Sequence, residues 1–278
     1  MTDKPDIGSQ TTDLPLFQGL IESEGRSYSN WGLHRRTTPA VFAEPITYAD
    51  VQSLVRDDAR FPTPVNPVGS MMSVSSTFVN DGGTMVCLRK LDDVIGIERD
   101  LAGRDVVRVQ AGCRLKKLNS WLQARGREIP FQAEIGEASV GSVAAGDTKE
   151  SSIDGPGYFS AHVVALTYVD ETGALRTLSD LDDGAAFHEF KCSFGLSGII
   201  VECLLETRPA TLCRSDVSVG AFATPAELAA ALMTKRSHSD ALLAIVFLHQ
   251  LASFFDQRFK AGPGIYTGAF VAAVFTRI

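Results

Sequence analysis

Three stretches of small residues, each next to an apolar run, have the composition that close backbone approach to a ligand requires. Pro67-Val68-Gly69-Ser70-Met71-Met72-Ser73 leaves the run Val65-Asn66-Pro67-Val68 through a Gly-Ser turn. Where no Cβ stands in the way, several backbone N–H groups can converge on one anion. Ser70 and Ser73 add hydroxyl donors. Ser139-Val140-Gly141-Ser142-Val143-Ala144-Ala145-Gly146-Asp147-Thr148 is built mostly of Gly, Ala and Ser, which suits a flat or phosphorylated ligand. Gly195-Leu196-Ser197-Gly198-Ile199-Ile200-Val201 places two glycines ahead of a buried-strand pattern. Taken singly, each also fits plain architecture: a Gly-Ser turn, a tight helix or strand crossing, and ordinary turn chemistry.

Other chemistries find no pattern. The chain has no Gly-x-Ser-x-Gly, no phosphate-loop Gly-Lys-Ser/Thr and no His-Glu-x-x-His. His162, His188, His238 and His249 lack ligand spacing to one another, so they read as structural or surface histidines and no metal is expected. Tyr158 and Phe159 follow Gly155-Pro156-Gly157 and could stack on a ring, although aromatics there also serve packing.

The elements that must position these stretches are legible in order. Val41-Phe42-Ala43 reads as a strand closed by Pro45. Thr47 caps a helix over Tyr48–Arg56, with Val51, Leu54 and Val55 on one face. Thr84–Leu88, Val94–Ile97 and Val106–Val109 are β-branched runs separated by Asp and Gly. Leu115, Leu118, Trp121 and Leu122 recur at helical spacing before Gly126 at a C-cap place. Val163–Val169 and Leu175–Leu178 flank a hairpin turn at Asp170–Gly173, Ala185–Phe190 reads as a short helix, and Gly198–Glu206 is a strand stopped by Arg208-Pro209. A new segment opens with Thr224-Pro225 and a helix over Ala226–Lys235, followed by strand candidates Leu242–Leu248, Ser253–Phe259 and Phe270–Phe275.

Composition narrows the class. With 45% hydrophobic and 21% charged residues in 278, the chain has a sizeable core. Its net charge of −7 and lack of basic clusters beyond His34-Arg35-Arg36, read as a solvated loop, exclude a nucleic-acid surface. No stretch reaches the roughly 18 apolar residues of a membrane helix, and no apolar signal core opens the sequence. Five dispersed cysteines without a CxxC pair read as reduced thiols, so the expected location is cytoplasmic.

The order and spacing of these units, from about Trp31 to Pro209, resemble the FAD-binding domain of the vanillyl-alcohol oxidase / p-cresol methylhydroxylase superfamily. Ala40–Pro45 with Val51–Val55 resembles its opening strand–helix unit, and Val107–Gly112 with Leu118–Gly126 a later one. The resemblance implies an α+β fold: an arm over 1–35, a two-lobed FAD domain over 36–210, and a partial α+β substrate (cap) domain over 211–278. It implies FAD held by Pro67, Val68, Gly69, Ser70, Met71, Met72 and Ser73, by Ser139, Val140, Gly141, Ser142, Ala145 and Gly146, and by Gly198, Ile199 and Ile200.

There are departures from the family pattern Gly-x-Gly-His-Ser, since Met71 stands at the second glycine and Met72 at the histidine. The family's covalent anchor is therefore missing, and non-covalent FAD is expected. Asp147, Lys149 and Glu150 replace small residues in the second stretch, and Cys113 sits near the wrong strand for a second anchor. The implied activity is oxidation of a small organic substrate by hydride transfer to flavin. The alternative is a degenerate member acting as a non-catalytic partner or cofactor-free protein. A half-built cap sheet implies self-association or a second chain that completes it.

Overall fold

The computed structural model describes residues 17–23, 25–130, 135–146, 148–222, 224–247 and 269–277. Asp147, His249, Ser253–Phe259 and Gly262-Pro263-Gly264 lie outside the described residues.

The first lobe is a four-stranded sheet of β1 (Leu20–Glu22), β2 (Val41–Glu44), β3 (Val65–Val68) and β4 (Thr84–Cys87), in the order β1-β2-β4-β3. β2 and β3 both run parallel to β4, and β1 is an antiparallel edge. Between β2 and β3, helix α1 (Tyr48–Arg56) crosses over. Its start is a capping box: the Asp50 N–H donates to Thr47 Oγ1 at 3.0 Å, and the Thr47 N–H donates to Asp50 Oδ2 at 3.0 Å. β4 is buried on both faces, which divides its side chains between two clusters. Val86 joins the main core, while Met85 and Cys87 pack with Phe42, Val68 and Phe78.

The second lobe is an antiparallel sheet of β5 (Val94–Arg99), β6 (Asp105–Gln110), β7 (Val163–Val169), β8 (Leu175–Ser179) and β9 (Ile199–Glu206), ordered β8-β7-β9-β6-β5. Helix α2 (Leu115–Gln123) buries Leu115, Leu118 and Leu122. Two further helices are α3 (Val140–Ala145) and α4 (Gly184–Lys191). One continuous apolar core joins both lobes, since Val41, Val51 and Leu54 share it with Val107, Val109, Val201 and Leu205.

Part of the stretch read as an arm is built into the fold. β1 pairs with β2, and Tyr28–Ser29 pairs with Arg36–Thr37 in a short hairpin. The basic run His34-Arg35-Arg36 lies on that hairpin and is exposed.

After Pro209 a separate sheet begins. β10 (Cys213–Ala221), β11 (Ala241–Phe247) and β12 (Ala269–Arg277) are ordered β10-β12-β11, all antiparallel. Helix α5 (Pro225–Arg236) is capped by Thr224, carries proline in its first turn, and has no buried residue. Main-chain bonds join β11 to the second lobe: Ile153 N–H to Asp240 O and Leu242 N–H to Ser151 O, both 2.9 Å. No helix among the described residues is long and apolar enough to cross a membrane.

Candidate cofactor site

The loop leaving β3, the start of α3 and the entry to β9 meet around a cavity of about 400 Å³. From the first loop come Pro67, Val68, Gly69, Ser70, Met71, Met72 and Ser73; from the second stretch Ser139, Gly141, Ser142, Ala145 and Gly146; from the third Gly198 and Ile200. Three segments spread along the chain from Pro67 to Ile200 thus form one wall.

Two of the expected residues lie behind that wall. Val140 is fully buried in the core, because the stretch that contains it is helical and turns that side chain inward. Ile199 also packs in the core: successive strand side chains alternate, so Gly198 and Ile200 face the cavity and Ile199 faces away. Tyr158 and Phe159 do not line the cavity, and Phe159 is fully buried core. Among the described residues, the aromatic rings that reach it are Phe78 and Phe194. Ser75 and Thr77 were also missed, though the hydroxyl-rich run Ser73-Val74-Ser75-Ser76-Thr77 was a visible signal.

The geometry at the crossing is tight. A Cβ added to Gly69 would lie 2.0 Å from Ser139 Oγ and 2.7 Å from Ser142 Oγ, so only glycine lets the first loop touch α3. Ser139 and Ser142 share a hydroxyl hydrogen bond of 2.7 Å. Met71 has φ +51°, a left-handed conformation that residues other than Gly and Asn rarely adopt. The loop therefore takes at Met71 a shape that glycine adopts freely. The Met71 side chain packs against the cluster of Phe42, Val68, Phe78, Met85 and Cys87, which gives the thioether an apolar berth.

The donor inventory is rich and uncharged. Among the described residues, the N–H groups of Ser70, Met71, Met72 and Ser73 meet no protein acceptor. Ser70 Oγ is buried without a hydrogen-bond partner. No acidic or basic side chain lines the cavity among the described residues. The buried thiols are chemically quiet: burial pushes Cys113 up to about 11 and Cys203 up to about 12, and neither lines the cavity. Burial also holds the His162 imidazole below its ordinary pKa. No cluster of His, Cys, Asp and Glu among the described residues could hold a metal.

The comparisons with known proteins fit this geometry. The family model for the FAD binding domain matches residues 39–179, just over half of the chain. The chain is similar to a D-arabinono-1,4-lactone oxidase of Eremothecium gossypii, 31% identical over 209 residues that make up 73% of this chain and 39% of that protein. It is similar to a mitochondrial L-galactono-1,4-lactone dehydrogenase of Brassica oleracea, 27% identical, with 64% of this chain and 29% of that protein covered. The chain thus spans about two-fifths or less of these curated relatives. Among solved structures, an alkyldihydroxyacetonephosphate synthase superposes with a TM-score of 0.65 at 16% identity, covering 87% of this chain and 48% of that one. That match shows a shared fold and extends beyond Pro209 into the last segment. This chain belongs to the FAD binding domain family, and FAD is its cofactor.

Proposed function

We propose that the chain holds FAD non-covalently in the cavity between the two lobes, as the cofactor-binding part of an oxidoreductase acting on a small organic substrate. Bound flavin supplies a two-electron acceptor for hydride. The observation that carries the assignment of the cavity is its set of uncommitted donors. The buried orphan Ser70 Oγ lacks a partner, and the N–H groups of residues 70–73, which meet no protein acceptor among the described residues, are free to bind a pyrophosphate. Among the described residues no carboxylate lines the cavity; Asp147, between the lining residues Gly146 and Thr148, lies outside them. Ser139 and Ser142 present a second pair of hydroxyls across from that loop. Met72 supplies no ring nitrogen and Cys113 is in the core, so the residues fit a dissociable cofactor.

The names of the relatives point to sugar-derived 1,4-lactones as the first substrate class to try. A second chain, or more of the cap, completing the sheet along the outer edge of β10 would enclose such a substrate.

The test is to purify the chain with added FAD and record its spectrum. Bound flavin gives bands near about 370 and about 450 nm, and anaerobic addition of an aldono-1,4-lactone should bleach the latter. A chain that takes up no flavin refutes the reading of the cavity. One that takes up flavin but is bleached by no lactone leaves the cofactor reading standing and counts against lactone oxidation by this chain on its own.

A further inference from the structure

The hairpin of residues 28–37 lies just ahead of the matched family span, and none of its residues lines the cavity. We propose that it is a positioning clamp for the first cofactor loop, with Asn30 as the central residue; this rests on the FAD reading above.

The hairpin takes hold of the loop by its carbonyls. The Trp31 N–H donates to Met71 O at 3.2 Å, Asn30 Nδ2 donates to Ser73 O at 3.0 Å, and His34 Nε2 donates to Val74 O at 2.9 Å. A carbonyl can only accept, so His34 carries its proton on Nε2. The Asn30 amide orientation is fixed by the same logic: Nδ2 faces a carbonyl, and Oδ1 accepts the Arg35 N–H at 3.4 Å. Asn30 is 1% exposed, so this carboxamide sits inside the hairpin rather than in solvent.

The hairpin is itself anchored at both ends. Tyr28 stacks on Phe42 with ring centroids 4.6 Å apart and planes 13° from parallel. Thr37 is buried, donates to Asp81 Oδ1 at 2.8 Å and accepts from the Asn80 N–H at 2.8 Å.

Holding the carbonyls decides where the amides point. In a trans peptide plane C=O and N–H are opposed. With Met71 O drawn to Trp31, the Met72 N–H of the same plane is turned to the other side of the loop, where Met72 and Ser73 line the cavity. The same bond fixes the peptide plane that follows Met71, whose φ of +51° costs an L-residue about 1–2 kcal/mol. Asn30, Trp31 and His34 are therefore positioning residues that act through loop residues 71–74.

The test is a double-mutant cycle on FAD affinity, read by flavin fluorescence quenching, in wild type, Asn30→Ala, Met71→Gly and the pair. Asn30→Ala is expected to weaken FAD about tenfold or more, by the loss of a buried hydrogen bond and of the loop shape it enforces. In the Met71→Gly background, where glycine adopts positive φ freely, the same change is expected to cost clearly less. A merely structural role of Asn30 would show no such rescue. Asn30→Asp, which keeps volume and the acceptor for Arg35 but turns a carboxylate oxygen on Ser73 O, should repeat the loss if the alanine variant folds poorly.

Equal FAD affinity in wild type and the Asn30 variants overturns the clamp while leaving the FAD reading intact. A loss that is undiminished beside Met71→Gly overturns it as well. Absence of binding in wild type removes the reading on which the clamp rests, and the clamp with it.

Discussion

Gly141 lies in the stretch whose small residues a sequence reading reserves for ligand, yet its missing side chain is reserved for a neighbouring strand. A Cβ built there would stand 2.8 Å from Ala111 Cβ and 3.2 Å from Ala111 O. Ordinary carbon contacts lie at about 3.5–4.0 Å, so α3 and the end of β6 would need to part by roughly 1 Å. They cannot part freely, because the Gly141 N–H donates to Ala111 O at 2.8 Å and the Val140 N–H to Cys113 O at 2.8 Å. Overpacking of this kind costs about 1–3 kcal/mol. Alanine in a helix returns at most about 1 kcal/mol relative to glycine. The expected net for Gly141→Ala is a destabilisation of about 1–2 kcal/mol, or a Tm lowered by a few degrees at about 2–4 °C per kcal/mol for a chain of this size. Thermal unfolding of the apo protein by circular dichroism measures it, and Ala111→Gly in the same chain should restore much of the loss by removing the opposing methyl. An unchanged Tm for Gly141→Ala, with weaker FAD binding, would refute this reasoning and place the added methyl in the cavity instead.

Further outcomes are expected. Denaturation of the flavin-loaded protein by acid should leave all flavin in the supernatant; colour that stays with the precipitate would mean a covalent link. The Asp170 carboxylate accepts from Thr172, Ala174 and Arg176, which holds its pKa well below the carboxylate range. A depressed folded pKa contributes stability above the unfolded value of about 3.9 and loses it as pH falls below that. Asp170→Asn should therefore flatten the stability curve below about pH 4 relative to wild type, and parallel acid limbs would contradict this. At mildly alkaline pH, a thiol reagent should label exposed Cys192 in the native chain but reach Cys87, Cys113 and Cys203 only on unfolding. Mass mapping of the labelled sites decides the matter. Early labelling of Cys203 would show that the β9 core opens.

The legible part of the fold was the part with local signals. The Thr47 cap, the hydrophobic face of α2 and the Asp170–Gly173 turn each rest on residues within a few positions of one another, and each appears at the expected place. The cavity wall was legible because glycine and serine clusters leave a mark whatever the tertiary context. Helix α3 was not legible as a helix: Gly, Ser and Val are weak formers, and it exists because Val140, Val143 and Ala144 bury against the core. The clamp hairpin was missed because its strands are two residues long and show no alternation. Phe194 was missed because a phenylalanine at φ +53° obeys no local preference; its place follows from the Gly195 and Gly198 bends around it.

Main-chain bonds at residues 151–153 and 240–242 splice β11 to the second lobe. Backbone groups are the same in every residue but proline, so these two bonds are indifferent to most side-chain replacements at the paired places. They are sensitive to length instead. One residue inserted between Glu150, whose carboxylate ties down Ser152 and Gly157, and Ile153 would slide the pairing by a step and turn each following side chain to the opposite face. At this seam the number of residues between Glu150 and Ile153 matters more than the identity of those that pair.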